Sequence, residues 1–218
     1  MNEPASVIPL FSTPVYRINL GDILKDNKKT VDYIKELCTL KDNEGNITWQ
    51  TDVHGSSDVL KSNKLRVLNK KIKENIELYI YNVLEWKEVV KLQITSSWCN
   101  EINKKGQYHH PHGHPNSIIS GVFYFETLEE DKIIFHNNNL QREAYYDFPL
   151  SNYNIFNSST WWIPVENNDL ILFPSDFRHS VPVNTKNDFS KNRRFSLSFN
   201  TFFKNCEFSH NPTTYAKF

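Results

Sequence analysis

The sequence predicts an α+β chain that is mainly β, with an α-rich first part packed on a jelly roll or β-sandwich. Up to about residue 88 the apolar residues recur every three or four positions, and after Glu88 they alternate or run in short continuous stretches. Turn-forming clusters such as HPHGHPN and VENND divide those stretches, and many short strands divided in this way indicate a sandwich or jelly roll. Aromatic residues make up 14% of the chain, a load that suits strands and argues against disorder.

The elements follow in order. Val7 to Leu10 and Val15 to Leu20 read as extended pieces broken by Pro9 and Pro14. Asn27 to Leu40 is helical, with Val31, Ile34 and Leu37 or Cys38 on one side. The clearest helix runs from Ser62 to Leu84. Its Leu65, Leu68, Ile72, Ile76, Ile80 and Val83 form one stripe, and Ser62 or Asn63 caps its start. Strands are expected at Val89 to Cys99, Ile118 to Phe125, Ile133 to Phe135, Trp161 to Val165, Leu170 to Phe173, Val181 to Val183 and Arg194 to Phe203. No linker separates the two parts. The 218 residues therefore read as one domain: 1–88 supporting pieces and helices, 89–205 a jelly-roll core, 206–218 a tail.

Charge excludes little. Lys+Arg 25 against Asp+Glu 25 leaves no basic field that would favour nucleic acid, and the lysines from Lys61 to Lys73 read as the wet face of a helix. Cys38, Cys99 and Cys206 are an odd, widely spaced set without metal-knuckle spacing, which predicts free thiols in a reducing compartment. The first residues lack the pattern of a secretory leader, and no stretch approaches the roughly 20 apolar residues of a membrane span. A cytoplasmic protein is expected.

The chemistry concentrates in the histidines. Of eight, four crowd into YHHPHGHP (His109, His110, His112, His114), and His179 follows a buried strand in FPSDFRHSVPV. Imidazole is the commonest neutral metal ligand, and an HxH pair sets two rings on one side of an extended chain. A third ligand from a distant strand would close a facial triad with open coordination positions. Two registers fit, His110/His112 and His112/His114. A polar or adventitiously metal-binding loop is the plain alternative, set against the position of both segments at strand ends. Further on, RRFSLSFN alternates: Arg194, Ser196, Ser198 and Asn200 on one face, Phe195, Leu197 and Phe199 on the other. Arg194 beside a hydroxyl makes a carboxylate clamp, since the guanidinium offers a two-pronged fork. Arg193, on the opposite parity, ranks second. TWW (Thr160 to Trp162) and NIF are candidates for a pocket wall, with core packing as the ordinary reading.

HGHPNSIISGVFYF, DLILFPSDFRHSVPVN and RRFSLSFN, with the opening IPLFSTPVY, resemble the 2-oxoglutarate/Fe(II)-dependent oxygenases of marine bacteria and their phages. The resemblance spans nearly the whole chain. It implies a cupin-like double-stranded β-helix that uses iron(II), dioxygen and 2-oxoglutarate. It assigns His112 and His179 as metal ligands and Arg194 with Ser196 to the far carboxylate of 2-oxoglutarate. Tyr124 resembles a second donor to that carboxylate, against the alternative of a core aromatic. Most relatives carry His-x-Asp or His-x-Glu, and here His114 stands in the carboxylate's place. Ligation by His114 is the expectation, giving a His112, His114 and His179 site, with a water or a carboxylate from elsewhere as the alternatives. The implied outcome is hydroxylation of a substrate the sequence does not identify, with 2-oxoglutarate converted to succinate. A cupin-like metalloenzyme without 2-oxoglutarate, its Arg194 binding a substrate acid directly, and a non-catalytic jelly-roll binding protein are the rivals.

Overall fold

The protein is described here by a computed structural model covering residues 7–24, 26–39, 58–137, 149–183, 185, 187–190, 193–208 and 216–217. Along the chain come β1 (Tyr16–Asn19), α1 (Asn27–Thr39), α2 (Arg66–Leu78), β2 (Leu92–Ile102), β3 (His109–His112), β4 (Ile119–Glu126) and β5 (Lys132–His136). These are followed by β6 (Thr160–Pro164), β7 (Asp169–Pro174), β8 (His179–Val181), β9 (Arg194–Phe203) and a small pair, β10 (Glu207–Phe208) with β11 (Ala216–Lys217).

Two antiparallel sheets form the jelly roll: a five-stranded one in the order β1-β7-β4-β9-β2 and a four-stranded one in the order β3-β8-β5-β6. From β2 to β9 the chain passes back and forth between the sheets, which makes a double-stranded β-helix. The five-stranded sheet is covered on both faces. Phe123, Phe125, Leu170, Leu172, Phe195, Leu197 and Phe199 pack against the helical stripe of Leu65, Leu68, Ile72 and Ile76, with Val31 and Ile34 from α1. On the other face Val122, Tyr124, Ile171 and Phe173 meet Ile133 and Phe135 of the smaller sheet. A strand buried on both faces reads as a continuous apolar run, as in SGVFYF and LILF. Close packing fixes Gly121: a Cβ there would lie 2.3 Å from Cζ of Phe199 and 2.7 Å from Cδ2 of Leu172.

Several expectations are corrected. The second helix begins as a 3-10 turn, Asn63–Leu65, over which Ser62 accepts from the Lys64 N–H, and ends as a π turn, Tyr79–Val83. The wider turn, with Leu84 N–H bonded to the Tyr79 carbonyl, rotates Val83 off the buried stripe to 46% exposure. Val7 to Leu10 forms no strand and is exposed, whereas Tyr16–Asn19 pairs with β7. The histidine-rich segment, read as a turn, is partly an edge strand (β3). β8 starts at His179 and stops before Pro182, which has no N–H to donate to a ladder. Leu37 and Cys38 lie outside the residues whose side chains are described, as does most of 209–218.

Candidate metal centre

β3 and β8 pair antiparallel, and in their register His112 stands opposite His179. Beyond β3 the chain crosses the turn after β7 at close range. The His114 N–H donates to the Ser175 carbonyl at 2.8 Å, and a Cβ on Gly113 would come within 3.2 Å of that oxygen. The turn is held by a cluster of hydroxyls: Ser175 Oγ lies 2.7 Å from Ser117 Oγ and 2.8 Å from Ser120 Oγ, and Ser120 Oγ lies 2.9 Å from Asn200 Oδ1. Asn200, expected on the Arg194 face, thus braces this turn.

These supports bring His112, His114 and His179 together, with one nitrogen from each within 4.8 Å of the others and His114 Nε2 3.3 Å from His179 Nε2. Cis ligands on an octahedral ion at about 2.1 Å sit about 3 Å apart, close to the His114–His179 separation. Two of the rings are fixed from behind. The Nδ1–H of His112 donates to the His110 carbonyl (2.7 Å), and that of His179 donates to the Phe177 carbonyl (3.1 Å). A carbonyl only accepts, so each proton sits on Nδ1 and each Nε2 is bare toward the cluster. Burial, then the His112 and His114 rings, pushes His179 down to about 3; burial, then His112, pushes His114 down to about 4. Neutral imidazoles are what a metal needs. The other register is not assembled: exposed His110 turns its Nε2 to the Tyr108 hydroxyl (3.1 Å). Among the described residues no carboxylate joins the cluster.

A cavity of about 170 Å³ runs from the three histidines into the jelly roll, lined further by Trp98, Asn100, His109, Val122, Tyr124, Ile133, Val181, Arg194, Ser196 and Ser198. Arg194 is 3% exposed. Its Nη1 donates to Ser196 Oγ at 3.2 Å, its guanidinium lies 4.9 Å from the Tyr124 ring centre, and its Nε stands 3.1 Å from Asp131 Oδ2. That last contact is a charge pair without hydrogen-bond alignment. Tyr124 is fully buried, its hydroxyl makes no hydrogen bond among the described residues, and burial raises its pKa to about 12. The direct contact with Arg194 is thus to the ring face, and the hydroxyl is left as a donor. A buried donor without a partner is costly, so this end of the cavity suits an anionic oxygen ligand. Arg193 faces the other way, bonded to Glu126 with Glu101 and Asp32 nearby. TWW and NIF do not line this cavity: Trp162, Ile155 and Phe156 are exposed and belong neither to its wall nor to the core.

Residues 96–200 match the model of the family described as "Putative 2OG-Fe(II) oxygenase". That span, just under half of the chain, matches as a 2OG-Fe(II) oxygenase domain. No curated protein matches it in sequence. Among solved structures it is similar to a Pseudomonas putida prolyl-4-hydroxylase, with 13% identity and a TM-score of 0.52 over 88% of this chain and 93% of that one. It is similar to HygX from Streptomyces hygroscopicus with nickel and 2-oxoglutarate bound, with 10% identity and a TM-score of 0.51 over 87% and 82%. It is also similar to the α-ketoglutarate-dependent epimerase SnoN of nogalamycin biosynthesis, with 13% identity and a TM-score of 0.56 over 93% and 82%. At such identities the likeness establishes the fold, and the family match carries the activity. The oxygenase is a non-haem, iron(II)- and 2-oxoglutarate-dependent dioxygenase.

The sequence reading missed residues in and beside the oxygenase's cavity. Trp98 and Asn100 belong to β2, whose period-two pattern continues past Cys99 onto the Arg194 face; Asn100 donates to Ser198 at 2.9 Å. Asp131 sits in the β4–β5 turn, where only folding brings it to Arg194. His109 was counted in the cluster but not given a place in the site.

Proposed function

We propose that His112, His114 and His179 hold the iron(II) of this oxygenase, and that Arg194, Ser196 and Tyr124 hold the far carboxylate of 2-oxoglutarate. The observation that carries the reading is one cavity with three clustered imidazoles at one end and an arginine, a hydroxyl and a phenol without a hydrogen-bond partner among the described residues at the other. A dicarboxylic keto acid needs that pairing of a metal with a distant carboxylate clamp. Iron(II), with 2-oxoglutarate and dioxygen, supplies the oxidising chemistry, in which conversion of 2-oxoglutarate to succinate accompanies hydroxylation of an as yet unidentified substrate. The chain's own residues bind and orient. Carbonyls behind His112 and His179 keep their Nε2 atoms forward, Arg194 and Tyr124 fix the length of the ligand, and Trp98, Val122 and Ile133 wall the cavity with apolar surface.

Residues 89–205 carry this work within a single domain, and 1–88 back it. The order of the motifs favours kinship with the oxygenases of marine bacteria and their phages. The odd, widely spaced set of Cys38, Cys99 and Cys206 agrees with a cytoplasmic protein, and no helix among the described residues is long and apolar enough to cross a membrane.

The test is aerobic turnover of 2-oxoglutarate by the iron-loaded protein, with succinate as the readout. Wild type should form succinate, while His179→Ala should not. An iron-loaded wild type that forms no succinate would favour a cupin-like metalloenzyme that does not use 2-oxoglutarate.

A further inference from the structure

In an unbroken strand, residues three apart point to opposite faces. By that rule His109 would point away from the side of β3 that carries His112. The pairing of β3 with β8 breaks the rule: His109 stands opposite Val181 and His112 opposite His179, three steps on one strand against two on the other. The extra residue is a β-bulge, which restores the parity and re-aims the side chain. His109 and His112 therefore face the same cavity, with ring centres 6.4 Å apart, and the bulged His110 and Pro111 are exposed. His109 lines the same cavity as the histidine cluster and Arg194. Among the described residues its ring makes no hydrogen bond.

We propose that His109 is a co-substrate-binding residue whose ring N–H donates to a carboxylate oxygen of 2-oxoglutarate along the wall between the metal site and Arg194. This rests on the reading of the cavity given above. A carboxylate only accepts, so the imidazole is the donor. The contact satisfies a cavity-facing donor that the fold has gone out of register to place. It also adds a polar reading point to a wall that carries the apolar Val122, Ile133 and Val181 beside the mutually bonded Asn100 and Ser198.

The experiment compares wild type, His109→Leu and His109→Gln as Ni(II)-loaded proteins, measuring metal stoichiometry, melting temperature and the Kd of 2-oxoglutarate by calorimetry. His109→Leu should weaken 2-oxoglutarate roughly tenfold or more, the usual cost of losing a hydrogen bond to a charged partner. His109→Gln, which keeps a donor, should stay within about threefold of wild type, with metal stoichiometry unchanged in both variants. Equal affinity in wild type and His109→Leu overturns the assignment while leaving the oxygenase reading intact, and loss of metal in both variants also overturns it. If wild type binds metal but no 2-oxoglutarate, the oxygenase reading itself falls and takes this one with it. Should His109→Leu not fold, nitrogen-15 histidine spectra of the Zn(II)-loaded wild type decide the matter. The His109 N–H should shift and become protected from exchange when 2-oxoglutarate is added, and an unmoved signal overturns the proposal.

Discussion

Arg194 and Asp131 are a buried pair with 3% and 8% of their surface exposed, and the charge balance between them determines how the cavity treats a carboxylate. Asp131 has its own supports, accepting from the Lys132 N–H at 2.8 Å and from the Leu128 N–H at 3.5 Å. Removing one partner of a buried ion pair strands the other and costs about 3–5 kcal/mol. Asp131→Asn should therefore lower the stability of the ligand-free protein by an amount of that order. It should also make 2-oxoglutarate the sole counter-charge of Arg194, so the co-substrate raises the melting temperature of this variant more than that of wild type. A smaller rise in the variant would contradict the pairing. His114 poses a second question of charge. Three neutral imidazoles leave the ion's positive charge less compensated than two imidazoles and a carboxylate do. His114→Ala should weaken metal binding by roughly tenfold or more, and His114→Asp should restore it. Metal titration of the two variants checks both outcomes.

At the scale of elements, what was legible in the sequence depended on whether the pattern was local. The stripe from Leu65 to Ile80 was legible because helical spacing is set by near neighbours, and those residues are buried against the five-stranded sheet. Val83 was not, because a π turn changes the spacing without any single residue announcing it. A direct comparison follows: Ile72→Ala should cost about 2–5 kcal/mol as a cavity in a closed core. Val83→Ala should cost less than about 0.5 kcal/mol. Chemical denaturation of the two variants measures both, and equal costs would refute the rotation of the last turn. The alternation of β9 was equally legible, and the face it assigned to Arg194, Ser196 and Ser198 is the cavity face. β3 was the hardest element to read. Its proline and its bulge hide a strand inside a segment that looks like a turn, so the parity of His109 was set by pairing with β8 and not by β3 itself. Asp131 and Asn200 reach their partners only through long-range contacts, and no spacing in the sequence reports them.

For the whole molecule, the cavity joins the two sheets. His112 and His179 come from the four-stranded sheet, while Tyr124, Arg194 and Ser196 come from the five-stranded one. A ligand that engages both ends ties the sheets together, so metal and 2-oxoglutarate should stabilise jointly what neither stabilises as much alone. At a hundredfold excess over Kd the ligand contribution is about 2.7 kcal/mol, to be read as a shift of the melting temperature that vanishes on chelation. The central claim is that one cavity holds iron(II) and 2-oxoglutarate together, and it is tested most directly by anaerobic titration of the iron-loaded protein with 2-oxoglutarate. The account predicts a saturable charge-transfer absorption in wild type that is absent from His179→Ala and needs much higher 2-oxoglutarate in Arg194→Gln. Bound iron with no such absorption at any 2-oxoglutarate concentration, or an Arg194→Gln titration that overlays the wild type, would contradict it.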